Sequence, residues 1–127
     1  MVLTDAVKGW PAWSRWTLEY LQQHCGADRL FEAGAAKFTM EQYWKYAAQT
    51  TEENPLYLFD KKFGESVPQL VADYAAPGCM ADDLFSLLGA EARPDFRWLI
   101  IGAPRSGSTF HIDPNGTSAW NACLTGQ

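Results

Sequence analysis

The sequence predicts an α+β fold, or a β-barrel carrying helices, with helices first and strands gathered toward the C-terminal end. Three observations carry that expectation. Thr39-Met40-Glu41-Gln42 has the form of a capping box, in which the threonine hydroxyl accepts a backbone N–H and the glutamine reaches back, so a helix opens there and runs over about 39–49. Arg97-Trp98-Leu99-Ile100-Ile101 is a short apolar run rich in β-formers, and it is the strongest strand in the chain. After it, the turn-rich stretch Gly102–Thr109 and then Pro114-Asn115-Gly116 divide the chain with turn chemistry.

Taken in order, Val2-Leu3 begins a short apolar segment that Gly9-Trp10-Pro11 closes as a turn. Trp10, Trp13 and Trp16, three apart, fall near one face of a helical turn and are expected as core or lid packing. Thr17–Cys25 reads as a helix with Leu18, Leu21 and Cys25 inward and Gly26 as its stop. Arg29–Ala33 is a strand candidate. The helix over 39–49 carries Met40, Tyr43, Trp44 and Ala47 at helical spacing, and Asn54-Pro55 then breaks the chain before the short strand Leu56–Phe59. Two short helices are expected at 66–74 and 81–88, separated by Ala76-Pro77-Gly78. The domain reading is one partial domain over 1–127, with mostly helical elements in 1–90 and the start of a strand-rich core in 91–127.

Composition narrows the function classes. With 47% hydrophobic and 20% charged residues the 127-residue chain is ordinary globular material. A net charge of -5 argues against a basic groove that tracks phosphates, so this segment is not expected to bind nucleic acid directly. Cys25, Cys79 and Cys123 make no C-x-x-C pair and no zinc spacing, which fits a reduced, intracellular protein. The N-terminus lacks a secretory signal, and no stretch approaches the roughly 20 apolar residues of a membrane-spanning helix.

The chemistry gathers at His111-Ile112-Asp113. On an extended strand residues i and i+2 share a face, so an imidazole and a carboxylate at that spacing can grip one metal ion. Two histidines and one carboxylate on one face of an octahedron leave three positions open, the geometry of non-haem Fe(II) oxygenases. Pro114-Asn115-Gly116 would put the pair at a strand end. An H-x-D triplet by itself is also compatible with a plain histidine in a turn.

The surrounding run changes the balance. From Gly102 to Gly126 the sequence GAPRSGSTFHIDPNGTSAWNACLTG closely resembles the iron-binding core of JmjC-domain Fe(II)/2-oxoglutarate dioxygenases. It is most similar to the group that contains an arginine demethylase/lysyl hydroxylase once described as a phosphatidylserine receptor. In that group a strand with W-x-x-x-G is followed by R-S-G-[ST], H-x-D-P and T-S-A-W-N. Here Trp98, Arg105-Ser106-Gly107-Ser108, His111-Ile112-Asp113-Pro114 and Thr117-Ser118-Ala119-Trp120-Asn121 fall in place, as do Pro55–Asp60, Ala81–Phe85, Val2–Asp5 and Gly9-Trp10-Pro11.

The resemblance implies a double-stranded β-helix of the cupin or jelly-roll kind, of which this chain would supply the N-terminal helices and the first strands. It implies His111 and Asp113 as two of three iron ligands. Tyr57 and Ser108 would contact the distal carboxylate of 2-oxoglutarate, with Ser108 where the family usually has threonine, and Asn121 would lie beside the cosubstrate. Fe(II), 2-oxoglutarate and O2 would together oxidise a C–H bond of a protein side chain, giving hydroxylysine or a demethylated arginine or lysine. A protein substrate, such as a histone or an RNA-processing factor, and a nuclear or cytoplasmic location follow from the same resemblance.

The family's third ligand, a downstream histidine, and a cosubstrate lysine are not in this sequence. His24 lies on the wrong side of the motif, and only four or five strands can be counted against the about eight of the family's barrel. The 127 residues alone are therefore expected to bind iron weakly and not to turn over. Two rivals stand beside this reading. Leu99–Thr109 resembles the phosphate-cradling strand-loop of sulfotransferases, which requires a helix beginning near Ser108. A non-catalytic pseudo-dioxygenase or interaction fragment is the other.

Overall fold

The structure, a computed structural model, describes residues 2–126. Its fold is α+β. Two short helices come first, α1 (Pro11–Arg15) and α2 (Leu18–Cys25). Pro11 occupies the first turn of α1, where a missing N–H costs nothing. Thr17 caps α2 by accepting the Tyr20 N–H at 3.2 Å, and Gly26, at φ 84°, ends it. Leu21 and Cys25 face the core as expected, but Leu18 does not and is 37% exposed.

The tryptophan stripe also divides. Trp10 and Trp16 flank α1 and both meet Tyr74, with ring centroids 5.7 Å and 6.1 Å apart, whereas Trp13 points outward at 43% exposure. Five residues of helix are too few to hold a whole stripe against one surface.

A hairpin follows, β1 (Phe31–Ala33) and β2 (Ala36–Phe38), turned at Gly34 with φ 60°. The return strand was not expected, because Ala-Lys-Phe carries none of the β-branched residues that mark strands. Next comes α3 (Met40–Gln49), whose capping box is complete: Gln42 N–H donates to Thr39 Oγ1 at 3.2 Å and Thr39 N–H to Gln42 Oε1 at 2.9 Å.

The strand β3 (Tyr57–Asp60) lies one residue later than the expected 56–59, and β4 (Leu99–Gly102) closes an antiparallel four-stranded sheet in the order β2-β1-β3-β4. Tyr57 pairs with Gly102 and Asp60 with Leu99. Three of these strands precede residue 90.

Between β3 and β4 the helices depart from expectation. In place of one helix over 66–74 there are two single turns, α4 (Phe63–Ser66) and α5 (Pro68–Val71). Pro68 cannot continue a helix from Val67, which sits at φ −136°, so the chain restarts. The expected helix at 81–88 is a 3-10 segment, Leu84–Leu88, followed by α6 (Gly89–Ala92). Leu84 and Leu87 are 77% and 83% exposed there, and without a surface to bury them a regular helix gains little.

Alternation along the strands sorts the sheet into two faces. Phe31, Ala33, Leu58 and Leu99 turn inward onto Met40, Tyr43, Phe63 and Leu70 from the helices, forming the core. Glu32, Tyr57, Phe59 and Ile100 turn outward. Two buried carboxylates tie the layers together. Asp73 accepts Arg15 Nη1 and Trp16 Nε1, each at 3.0 Å, and Tyr20 OH at 3.3 Å. Asp60 pairs with Arg29 Nη2 at 2.7 Å. No helix among the described residues is long and apolar enough to cross a membrane.

Candidate metal and cosubstrate site

The site is built where β4 leaves the sheet. Gly102 ends β4, and any Cβ at that position would collide with the Ser106 hydroxyl. That close approach exists because Ser106 folds back on Ala103, giving both its N–H (3.0 Å) and its hydroxyl (2.7 Å) to the Ala103 carbonyl. Pro104 occupies the second position of this turn and Arg105 the third, at φ 72°, as a turn of that kind requires.

From the turn the chain runs through Gly107 and Ser108 to Phe110–Asp113. The expected strand there is not formed. Phe110 and Ile112 are almost wholly solvent-exposed, and without sheet partners the segment has no ladder to hold it extended. His111 and Asp113 nevertheless converge, with Nε2 and Oδ1 3.1 Å apart. The three residues Pro114–Gly116 form a 3-10 turn in which Asn115 takes φ 62°.

The hydrogen bonding around His111 decides what that pair can do. His111 Nδ1 lies 2.7 Å from the Thr109 carbonyl, which can only accept, so Nδ1 carries the proton. In the neutral imidazole Nε2 is then a lone pair facing a carboxylate lone pair. The contact is attractive once a cation lies between them, either a proton or a metal ion. The Thr109 carbonyl, and after it the Asp113 carboxylate, accordingly raises the His111 pKa above the ordinary value. A ring nitrogen tied to a backbone carbonyl while the other faces outward is also how metal-binding histidines are oriented. Two ligands on adjacent octahedral positions, each about 2.1 Å from a metal, lie about 3 Å apart. The donor pair therefore fits two positions of an iron site. Among the described residues no group of three histidine, cysteine, aspartate or glutamate side chains could hold a metal.

The remaining candidates lie on two neighbouring surfaces. Ser108 shares a shallow depression of about 330 Å³ with Thr109, Phe110 and His111. Tyr57 and Gly107 line a cleft of about 440 Å³ with Glu32, Asn54, Leu56 and Phe59. Ser108 thus stands beside the rim of the cleft that Tyr57 walls. Asn121 is exposed, one residue beyond Trp120, whose ring meets Trp10 edge-on at 6.0 Å. His24 is not drawn in: it stacks on Tyr20 at 3.9 Å and contacts the Tyr20 carbonyl, as a helical histidine can.

Two residues near the cleft carry roles their spacing did not announce. Tyr43 OH donates to the Leu56 carbonyl at 3.0 Å and accepts the Ala103 N–H at 3.1 Å. Tyr46 OH accepts the Leu56 N–H at 2.8 Å and donates to Glu52 at 2.5 Å. Helical spacing marked Tyr43 as a core residue, but nothing local signals hydroxyl partners so far along the chain.

No protein-family model matches the chain. Its likeness to individual proteins is end to end. It is 49% identical over all 127 residues to arginine-specific demethylase JMJ22 of Arabidopsis thaliana, and 40% identical over its full length to lysine-specific demethylase JMJ21 of the same plant. Against bifunctional arginine demethylase and lysyl-hydroxylase psr-1 of Caenorhabditis elegans it is 36% identical, again over the whole chain. The chain is homologous throughout to JmjC-domain proteins. It spans 25% of JMJ22, 14% of JMJ21 and 34% of psr-1. In the JmjC frame, the loop that carries His111 and Asp113 is the segment whose motifs gave the resemblance.

Proposed function

We propose that this chain contributes to an Fe(II)- and 2-oxoglutarate-dependent dioxygenase that hydroxylates or demethylates a protein side chain, a lysine or a methylated arginine or lysine. The observation that carries the reading is the His111–Asp113 pair: two donors 3.1 Å apart, with the far ring nitrogen already committed to the Thr109 carbonyl. The relatives named for demethylase and hydroxylase activities support the same class.

In this reading His111 Nε2 and the Asp113 carboxylate hold the iron. Bound iron with 2-oxoglutarate and O2 supplies the oxidation of a C–H bond, chemistry no side chain performs. The chain's own residues bind and orient. Tyr57 and Ser108 offer hydroxyls to the distal carboxylate of 2-oxoglutarate, and Asn121 offers an amide beside it. The outward sheet face with Tyr57, Phe59 and Ile100 becomes the inner wall of a cupin-like β-helix, where it excludes water from the cosubstrate. The net charge of -5 suits a basic protein substrate, such as a histone or an RNA-processing factor. The sulfotransferase alternative loses its main requirement, since no helix begins near Ser108.

The test is thermal. Mn(II) stands in for Fe(II) without redox chemistry, and 2-oxoglutarate is added with it to the protein made from its complete reading frame. Ligands at about one hundred times their dissociation constant stabilise a folded protein by about 2.7 kcal/mol. The expected result is a clear rise in melting temperature that needs both ligands and disappears in His111→Ala and in Asp113→Ala. Succinate release with a basic peptide should follow the same pattern with Fe(II). A protein whose melting is indifferent to the pair of ligands would retire the proposal in favour of a non-catalytic interaction module.

A further inference from the structure

We infer that Tyr43 is a positioning residue, whose hydroxyl sets the separation between the two walls of the cleft that Tyr57 and Gly107 line. The inference rests on the cosubstrate reading for its purpose, but its geometry is independent of it. The Tyr43 side chain is completely buried on α3, and its single oxygen bridges two separate pieces of backbone. One is the carbonyl of Leu56, the residue directly before Tyr57. The other is the N–H of Ala103, the first residue past the last paired position of β4.

Those two points are where the walls leave the sheet. Up to Tyr57 and Gly102 the strands are held by their own register. Beyond Gly102 the chain is free of the ladder, and the turn that aims Gly107 and Ser108 hangs from Ala103 through the two bonds of Ser106 to its carbonyl. A phenol ring is rigid. With the ring packed against Phe38, Trp44 and Tyr46, its oxygen is a fixed point that triangulates both exits. The hydroxyl's one proton goes to the Leu56 carbonyl while its oxygen takes the Ala103 N–H, so it acts as donor to one wall and acceptor from the other.

Tyr46 provides a one-sided control. Its hydroxyl takes the Leu56 N–H and gives its proton to Glu52, so it fastens only the Tyr57 wall. A role in general stability would speed exchange throughout the core in Tyr43→Phe, with no preference for the Ala103 side. A role in setting the cleft makes them differ at the Ala103 side.

The experiment is amide hydrogen exchange on wild type, Tyr43→Phe and Tyr46→Phe, paired with 2-oxoglutarate titration in the presence of Mn(II). Phenylalanine keeps the ring and removes only the oxygen. In Tyr43→Phe the two hydrogen-bonded amides of this stretch, Ala103 and Ser106, should exchange faster by on the order of tenfold, while those of Phe31 and Leu58 in the sheet stay protected. Tyr46→Phe should speed exchange at Leu56 and leave Ala103 and Ser106 at the wild-type rate. 2-Oxoglutarate affinity should fall by about tenfold in Tyr43→Phe with Mn(II) affinity unchanged, and less in Tyr46→Phe. Unchanged exchange at Ala103 and Ser106 in Tyr43→Phe would overturn the inference, as would an equal acceleration at every core amide. If wild type takes up no 2-oxoglutarate, the cosubstrate reading fails, and the wall-setting role is still decided by the exchange pattern.

Discussion

Arg105 holds a backbone conformation that L-residues with a Cβ disfavour by about 1–2 kcal/mol, because the turn from Ala103 to Ser106 needs positive φ at its third position. Arg105→Gly should therefore raise stability, by about 1 kcal/mol in chemical denaturation, and a loss instead would mean that the guanidinium makes a contribution larger than the strain. Asp73 makes the opposite case. Its carboxylate accepts three donors while only 3% exposed, so Asp73→Ala should lower stability by about 1.5–3 kcal/mol, with Arg15 partly compensated because its own side chain is 60% exposed. At this scale the sequence shows residue types better than it shows contacts. His111 and Asp113 were legible as a donor pair because their spacing is local. The strand expected to align them does not exist, and their convergence comes from the Thr109 carbonyl and the turn at Asn115. Tyr43 was legible as core, whereas its bond to Ala103, sixty positions away, could not be read from any window.

Helices and strands were readable where they carry their own punctuation. Thr39 and Gln42, Thr17 and Gly26, and the apolar run before Gly102 located α3, α2 and β4 within a residue or two. Thr39→Ala should cost about 1 kcal/mol, seen as reduced helicity and an earlier melt. Elements held by tertiary contacts alone escaped. The strand β2 is shown by its pairing with β1 and not by its composition, and the interruption at Pro68 splits a helix that periodicity had joined. The connection from β3 to β4 has an electrostatic seam as well. Lys62 donates to Asp95 at 2.9 Å and to Glu65 at 3.0 Å, and its hydrogen bond holds the Asp95 carboxyl below the usual carboxylate range. A group depressed on folding stabilises above its unfolded pKa, near 4, and that stability is lost as pH falls through the folded value. The melting difference between wild type and Asp95→Asn should be present at pH 7 and close as the pH falls below the ordinary aspartate range.

The whole molecule is a sheet covered on one side. Helices bury the inner face, and Ile100 and Trp98 remain 52% and 39% exposed on β4 and just before it. If the outer face lines a β-helix, Ile100→Asp should shift the stability of the 127-residue chain by less than about 0.5 kcal/mol. In a longer protein whose further strands close over that face it should cost about 2 kcal/mol or more, because an unpaired charge would be enclosed. Equal small effects in both would argue that the face stays in water. The α+β class was legible at this scale from element types alone. The sheet order was not, since the pairing of Phe59 with Ile100 joins segments some forty residues apart. That distance has a consequence during synthesis. The hairpin, α3 and β3 have all left the ribosome while the chain that will cover the far edge of β3 is still untranslated. At about 5–20 residues per second the bare edge persists for several seconds, with the backbone groups of Tyr57–Asp60 open to any strand that arrives first. A nascent-chain holdase should therefore bind ribosome-stalled chains in which β3 but not β4 has cleared the exit tunnel, and release them once an added C-terminal linker carries β4 out of it.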